Sequence, residues 1–205
     1  MSKGKVGVVV ALVGILGILL VAGLGIFFYA TNWYNGTVTL EEGVSEQWSN
    51  VENAYQLRAD KTQNLVAIVK GAADFEQETL TQVVEARSKA TSVNIDANDL
   101  SPEKVQAFQE AQSQFSGALS RLLVTIERYP ELKATEAFRD FQAQYEGMEN
   151  RIGVERRKYN DVARNFNTRI KRFPGNLMAG MFGFEEKGYF EAEEGTDKAP
   201  DISFE

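Results

Sequence analysis

Carboxylates, lysines, tyrosines and hydroxyls are the side chains left to do bond-making chemistry in this sequence, because it contains no histidine and no cysteine. The first absence removes the commonest general base and the commonest transition-metal ligand. The second removes thiolate nucleophiles, thiolate metal sites and disulfides. No phosphate-cradling glycine loop or nucleophile-elbow pattern occurs, and Glu41, Glu42 and Glu46 lack the alternating oxygen-ligand spacing of a dedicated calcium loop. The sequence therefore points to no catalytic residue, no cofactor site and no metal site.

Glu155 is the one carboxylate on the apolar face of a long helical stripe. Burial there would raise its pKa and suit it to act as an acid or a relay. The competing account is that a helix of 3.6 residues per turn drifts off a 3.5-residue stripe, which leaves Glu155 at the edge, paired with a nearby arginine. Glu149, Asn150, Arg151, Arg156, Arg157, Tyr159 and Asn160 form a polar cluster around it, and Glu127, Arg128 and Tyr129 form another beside Pro130. These residues suit an interhelical network or a partner surface, and equally the ordinary i, i+3 and i+4 pairs of exposed helix faces.

The elements that would position these groups are read from hydropathy. Val6 to Ala30 runs 25 residues without a charge, which as a helix spans about 37 Å against a hydrocarbon core of about 30 Å. The run is too long for the apolar region of a cleaved signal and ends in Phe27, Phe28 and Tyr29 rather than in a small-residue cleavage site, so it is expected to stay as an anchor. Lys3 and Lys5 precede it, whereas the first charges after it are Glu41, Glu42 and Glu46, so residues 1–5 are expected in the cytoplasm and the remainder outside it. In a bacterium this is a single-pass protein of the inner membrane with a periplasmic domain. Phe27, Phe28, Tyr29, Trp33 and Tyr34 fit an interfacial belt. Gly7, Ala11, Gly14, Ala22 and Gly25 lie on one stripe of the anchor, where close helix–helix approach would favour a homo-oligomer, although glycine is common in membrane helices generally. Beyond Ala30 there are 20 basic against 29 acidic side chains, so nucleic acid is a poor partner.

From Val38 onward the apolar period is 3 and 4, which means helix. Val44, Trp48, Val51 and Tyr55 make a stripe that Leu65, Val69 and Ala72 continue, with Leu80, Val83 and Ala90 following a shift near Asp74 to Thr79 that is either a bend or a turn. Asn94 to Pro102 is a break, with Ser101 as N-cap and Pro102 in the first turn. Val105, Phe108, Phe115, Leu119, Leu122, Ile126 and Tyr129 follow, with Gln112 in the one polar slot, and Pro130 is expected to stop that helix. The last helix, Glu136 to Phe173, carries its stripe from Phe138 to Phe173. The fold class is all-α: one N-terminal transmembrane helix (6–30), then an elongated antiparallel four-helix-type bundle (31–184) and an acidic C-terminal tail (185–205) that lies on the bundle as an extended arm or stays mobile.

Together, Trp33-Tyr34-Asn35, QWSNVENAYQLRAD, NLVAIVKGAADFE, VVEARSKA, RLLVTIERYPELKATEAF, EGMENRIGVERRKYNDVARNFN and FPGNLMAGMFGFEEKGYF resemble the LemA family of bacterial membrane proteins over about residues 33–190. The resemblance implies an N-terminal membrane helix and a helical bundle, and it supplies no catalytic residues to carry over. Lys61-Thr62-Gln63 departs from the family pattern, which usually has an apolar pair and a proline there, so no proline-induced irregularity is expected in the first long helix.

The segment Phe173 to Phe184 is the main interaction candidate. Phe173, Leu177, Met178, Met181, Phe182 and Phe184 sit on a Gly-containing stretch that either docks a partner or folds over the end of the bundle as a cap. These features point to a non-enzymatic membrane-anchored scaffold whose partners are the lipid bilayer and further copies of itself. The alternative is a regulatory adaptor or sensor that uses Phe173–Phe184 to hold another envelope membrane protein, such as a transporter or membrane protease.

Overall fold

A computed structural model describes residues 3–71 and 75–192, the side chains of residues 3–6 and 8–11 excepted. Six helices occur among them: α1 (Lys3–Lys70), α2 (Gln77–Ser92), α3 (Pro102–Ile126), α4 (Pro130–Lys133), α5 (Glu136–Lys171) and α6 (Gly175–Phe182). The four long ones form the bundle and α4 and α6 are short connectors, so the all-α reading holds.

The apolar leading run and the first bundle helix are one element. α1 extends unbroken for 68 residues, roughly 100 Å at 1.5 Å per residue. Its apolar part is long enough to cross a membrane, and every side chain from Leu12 to Tyr29 is exposed. Burial begins at Trp33 and Thr37. No break marks residues 30–31, and none occurs at Lys61-Thr62-Gln63, where three residues of ordinary helix propensity replace the family's proline pattern.

The other boundaries follow backbone chemistry. α1 ends at Lys70 and α2 starts at Gln77, so the two stripes belong to separate helices; Ala72 and Asp74 lie outside the described residues. α3 stops at Ile126, three residues earlier than its stripe suggested, and Pro130 opens α4 instead of ending α3, since proline suits a first helical turn. Ser101 holds the N-cap position of α3 without a capping bond, its hydroxyl engaging Asp99. At α5 the Thr135 hydroxyl accepts the Phe138 N–H at 3.3 Å, and the helix ends at Lys171, two residues short of Phe173.

The core has two clusters. The one nearer the apolar run gathers Trp33, Val44, Trp48, Val51 and Tyr55 of α1 with Phe108 of α3 and Ile152, Tyr159, Phe166 and Ile170 of α5. The distal one gathers Leu65 and Val69 with Leu80, Val83, Phe115, Leu119, Leu122, Phe138 and Phe141. Contacts pairing residue 37 with 169, 47 with 155 and 58 with 149 run α5 antiparallel to α1. Leu122, fully buried in the distal cluster, is a test of that core: Leu122→Ala is expected to cost about 2–5 kcal/mol, measured by denaturant unfolding followed by circular dichroism.

Candidate functional site

Between the two clusters lies a buried polar layer. Arg58 falls at the next 3/4 step after Val44, Trp48, Val51 and Tyr55, so the stripe itself carries the guanidinium inside, where it is 2% exposed. Its Nη1 donates to Glu149 Oε1 at 2.9 Å, and its Nη2 donates to Gln112 Oε1 at 2.9 Å and to the Gln112 carbonyl at 3.2 Å. The rings of Tyr55 and Phe115 lie on it, each with its centroid 5.1 Å from Cζ. Gln112 Nε2 then donates to the Ala90 carbonyl at 3.3 Å, which joins α1, α2, α3 and α5 in one layer. The polar slot at Gln112 and the carboxylate at Glu149 are visible in the sequence, whereas Arg58 lies beyond the apolar members of its stripe and only its 3/4 register marks it as inward.

Glu155 is a paired, partly buried carboxylate. It accepts from Gln47 Nε2 at 2.7 Å and from Lys158 at 3.1 Å. The partners are Gln47 and Lys158 rather than the expected arginine, because the antiparallel packing of α1 brings Gln47 over this turn. The Gln47 bond, then Lys158, hold its carboxyl below the ordinary value; the raised pKa needed for an acid or relay is not found. Burial instead pushes up the carboxyl of Glu52, opposed in part by the Trp48 indole. Among the described residues no cluster of three or more metal-ligating side chains of the His, Cys, Asp and Glu types occurs.

Three members of the polar cluster on α5, Arg156, Tyr159 and Asn160, bond the segment that follows α6. Residues 183–192 carry no regular structure and lie along the bundle, where three side-chain amides pair with the backbone in both directions. Asn167 bonds Lys187 (2.8 and 2.9 Å), Asn160 bonds Phe190 (2.8 and 2.9 Å) and Gln109 bonds Glu191 (3.0 and 2.9 Å). The Tyr159 hydroxyl, whose pKa burial pushes up, donates to the Gly188 carbonyl at 3.1 Å, and Arg156 donates to the Glu191 carbonyl at 2.7 Å. Lys187 is buried and its ammonium meets Glu41 at 2.7 Å. Phe190 stacks on Trp48 at 5.8 Å. The first part of the tail is therefore an extended arm built into the core. Its remainder, residues 193–205 with Ile202 and Phe204, lies outside the described residues.

The interaction candidate divides in two. After the break at 172–174, residues 175–182 form α6, where the sequence suggested only an irregular Gly-rich stretch; tertiary burial of Ala179 and partial burial of Met178 fix the helix, and Gly183 closes it at φ 76°. Phe182 lies 6.4 Å from Trp33 and 5.0 Å from Tyr34, and Phe184 lies 5.8 Å from Trp33. A Cβ on Gly175 would stand 2.5 Å from the Arg169 carbonyl and 3.0 Å from Trp33 Nε1, so only glycine permits this contact. Trp33 is consequently 7% exposed and belongs to the core; it is not a lipid-facing member of the aromatic belt, because α6 covers it. Phe173, Leu177 and Met181 face outward at 81%, 60% and 81% exposure. In the anchor stripe, Gly7, Gly14, Ala22 and Gly25 are exposed, while the Ala11 side chain lies outside the described residues.

A family model described as the LemA family matches residues 47–204. Protein LemA of Metamycoplasma hominis is 28% identical over 178 residues, which cover 83% of this chain and 75% of that protein. Magnetosome protein MamQ 2 of Paramagnetospirillum magneticum is 25% identical over 183 residues, covering 80% of this chain. Magnetosome protein MamQ of Magnetospirillum gryphiswaldense is 24% identical over 185 residues, also covering 80% of this chain. The matched region spans 66%, just under two thirds, of both magnetosome relatives' length. None of these names denotes an enzyme.

Three outcomes test the site. Glu149→Ala leaves the buried guanidinium short of its carboxylate and is expected to destabilise by about 1.5–3 kcal/mol, and adding Arg58→Met to it is expected to recover stability in denaturant titrations. A Cβ on Gly188 would stand 2.7 Å from Pro102 Cα and 3.0 Å from Val105 Cβ. Gly188→Ala should therefore lift the arm and speed hydrogen exchange at the Lys187, Phe190 and Glu191 amides. Glu155 has a depressed folded pKa, so its stabilisation is present above its ordinary 4.5 and is lost as pH falls through the lower native value. Glu155→Gln should flatten the loss of stability on acidification below that pH.

Proposed function

This chain belongs to the LemA family, and from that premise we propose that it is a non-enzymatic interaction module tethered to a bacterial inner membrane and assembled from several copies. The observation that carries this reading is the continuity of α1 from Lys3 to Lys70. A helix that leaves the bilayer without a hinge and enters a packed core fixes the bundle as a post. From Trp33 to Lys70 it rises about 57 Å above the lipid.

The lysines before the apolar run and the glutamates after it support a cytoplasmic N-terminus and a bundle on the outer face. Self-association is supported by the exposed small residues of the anchor: at Gly7, Gly14 and Gly25 an added Cβ would meet nothing within 4 Å, which leaves room for the backbone of another helix. The interior of the bundle is filled by side chains and by the chain's own arm, which leaves its outer faces and its two ends for partners. Docking of another envelope membrane protein at the Phe173–Phe184 end is the alternative use of the same post.

Mass measurement of the full chain in mild detergent is expected to give an oligomer, and Gly14→Leu with Gly25→Leu is expected to lower its order. A strict monomer, together with no self-crosslinking in intact membranes, would overturn the assembly claim.

A further inference from the structure

We infer that the base of the bundle is a second membrane contact, in which Phe173, Leu177 and Met181 enter the lipid while Arg164, Arg169 and Arg172 hold an anionic phospholipid headgroup. The inference rests on the anchoring proposed above and adds to it a specific lipid-facing surface.

Height along α1 is the first argument. Trp33 and Tyr34 stand three and four residues past Ala30, about 5–6 Å up the axis, and the interfacial layer of one leaflet is about 5–8 Å thick. Phe182 packs on those two rings, so α6 sits at the level of the headgroups. Its packed side carries Ala179 and the partly buried Met178, Phe182 leans on Trp33 and Tyr34 while staying 44% exposed, and the other side presents Leu177 and Met181 one turn apart, with Phe173 exposed just ahead of the helix. Three large apolar side chains grouped on one exposed face, continuous with an exposed apolar span, match a lipid boundary better than water.

Charge is the second argument, and it is independent of the first. The domain carries an excess of carboxylates, yet residues 165–184 contain Arg169, Lys171 and Arg172 and no acid, and residues 31–40 contain no charge at all. The base is thus the basic pole of an acidic domain. A cleft of about 550 Å³ opens there between α1 and α5, lined by Tyr29 and Trp33 at the apolar boundary and by Arg164, Arg169, Arg172 and Phe173 opposite. Arg169 is fixed by donating to Thr37 Oγ1 at 2.7 Å and to the Trp33 carbonyl at 2.8 Å. Asp161 meets Arg164 at 3.3 Å where both are well exposed, and Glu186 pairs with Lys171. Guanidinium groups above an apolar, aromatic floor suit a phosphate whose acyl chains descend beside α1.

The chain has no cysteine, so single spin labels can be placed cleanly at Leu20→Cys in the anchor, Met181→Cys on α6 and Gln144→Cys on the distal part of α5. The full chain would be reconstituted in nanodiscs of phosphatidylcholine, with or without phosphatidylglycerol, and helicity checked by circular dichroism. Collision with oxygen, which favours lipid, and with an aqueous nickel chelate gives each label's depth. Labels at 20 and 181 are expected in lipid and the one at 144 in water. A lipid-exposed label at 20 with a water-exposed label at 181 would overturn the inference while sparing the anchor; a water-exposed label at 20 would overturn the anchor itself. A label at 181 shielded from both reagents would assign the face to a protein partner and also overturn the inference. For the headgroup, spin-labelled phosphatidylglycerol is expected to outcompete the choline lipid, and Arg172→Gln and Arg164→Gln to cut that preference by about fivefold each. A preference unchanged in both variants would remove the anionic site.

Discussion

A single buried guanidinium fixes how the four long helices stand against one another. Arg58 lies on the inward stripe of α1, 2% exposed, so its charge is met by groups from other helices. Glu149 of α5 and Gln112 of α3 meet it, and Gln112 passes the constraint on to α2 through the Ala90 carbonyl. A one-turn slip of α1, α3 or α5 would still pack leucine against phenylalanine in the clusters on either side, since apolar contacts are non-directional. It would strand the charge, however, and that cost makes the observed register the one that folds.

With the register fixed, the α5 groups that a sequence reader would offer to a ligand are turned to internal work. Arg156, Tyr159, Asn160 and Asn167 point along one side of the bundle at the spacing of an extended chain's carbonyls and amides, and residues 187–191 take up those bonds. The arm adds Phe190 to the aromatic group of Trp48, Phe108 and Tyr159. It also closes Lys187 over Glu41, tying the arm to the first turns of the bundle. Four members of the α5 polar cluster, Glu149, Arg156, Tyr159 and Asn160, are therefore engaged by the protein itself.

The two ends of the bundle differ in kind. At the distal end Phe75 and the α4 residue Leu132 join the core, with charged residues such as Arg128 and Glu76 paired at 3.0 Å on the surface. The end beside the apolar run is closed by α6, which covers Trp33 with one face and leaves Phe173, Leu177 and Met181 outward on the other. A cap that needed only to seal the core would have polar residues at those positions. Their apolar character, next to arginines in an otherwise acidic domain, sets this end apart from the distal one.

Much of this was legible in the chain itself. Charge-free length marks the apolar run and 3/4 spacing marks four long helices, because each of these is a local property of residue type and spacing. The limits of α3 and α5 were misplaced by two or three residues, since stripes continue past the point where backbone bonding stops. Tertiary packing alone decided the rest. Gln47 and not an arginine reaches Glu155, Trp33 is roofed by α6 instead of facing lipid, and an irregular tail becomes part of the core. Each of those depends on which residues, tens or more than a hundred positions apart, the antiparallel helices bring to the same height, and periodicity within one helix carries no information about its neighbour's register.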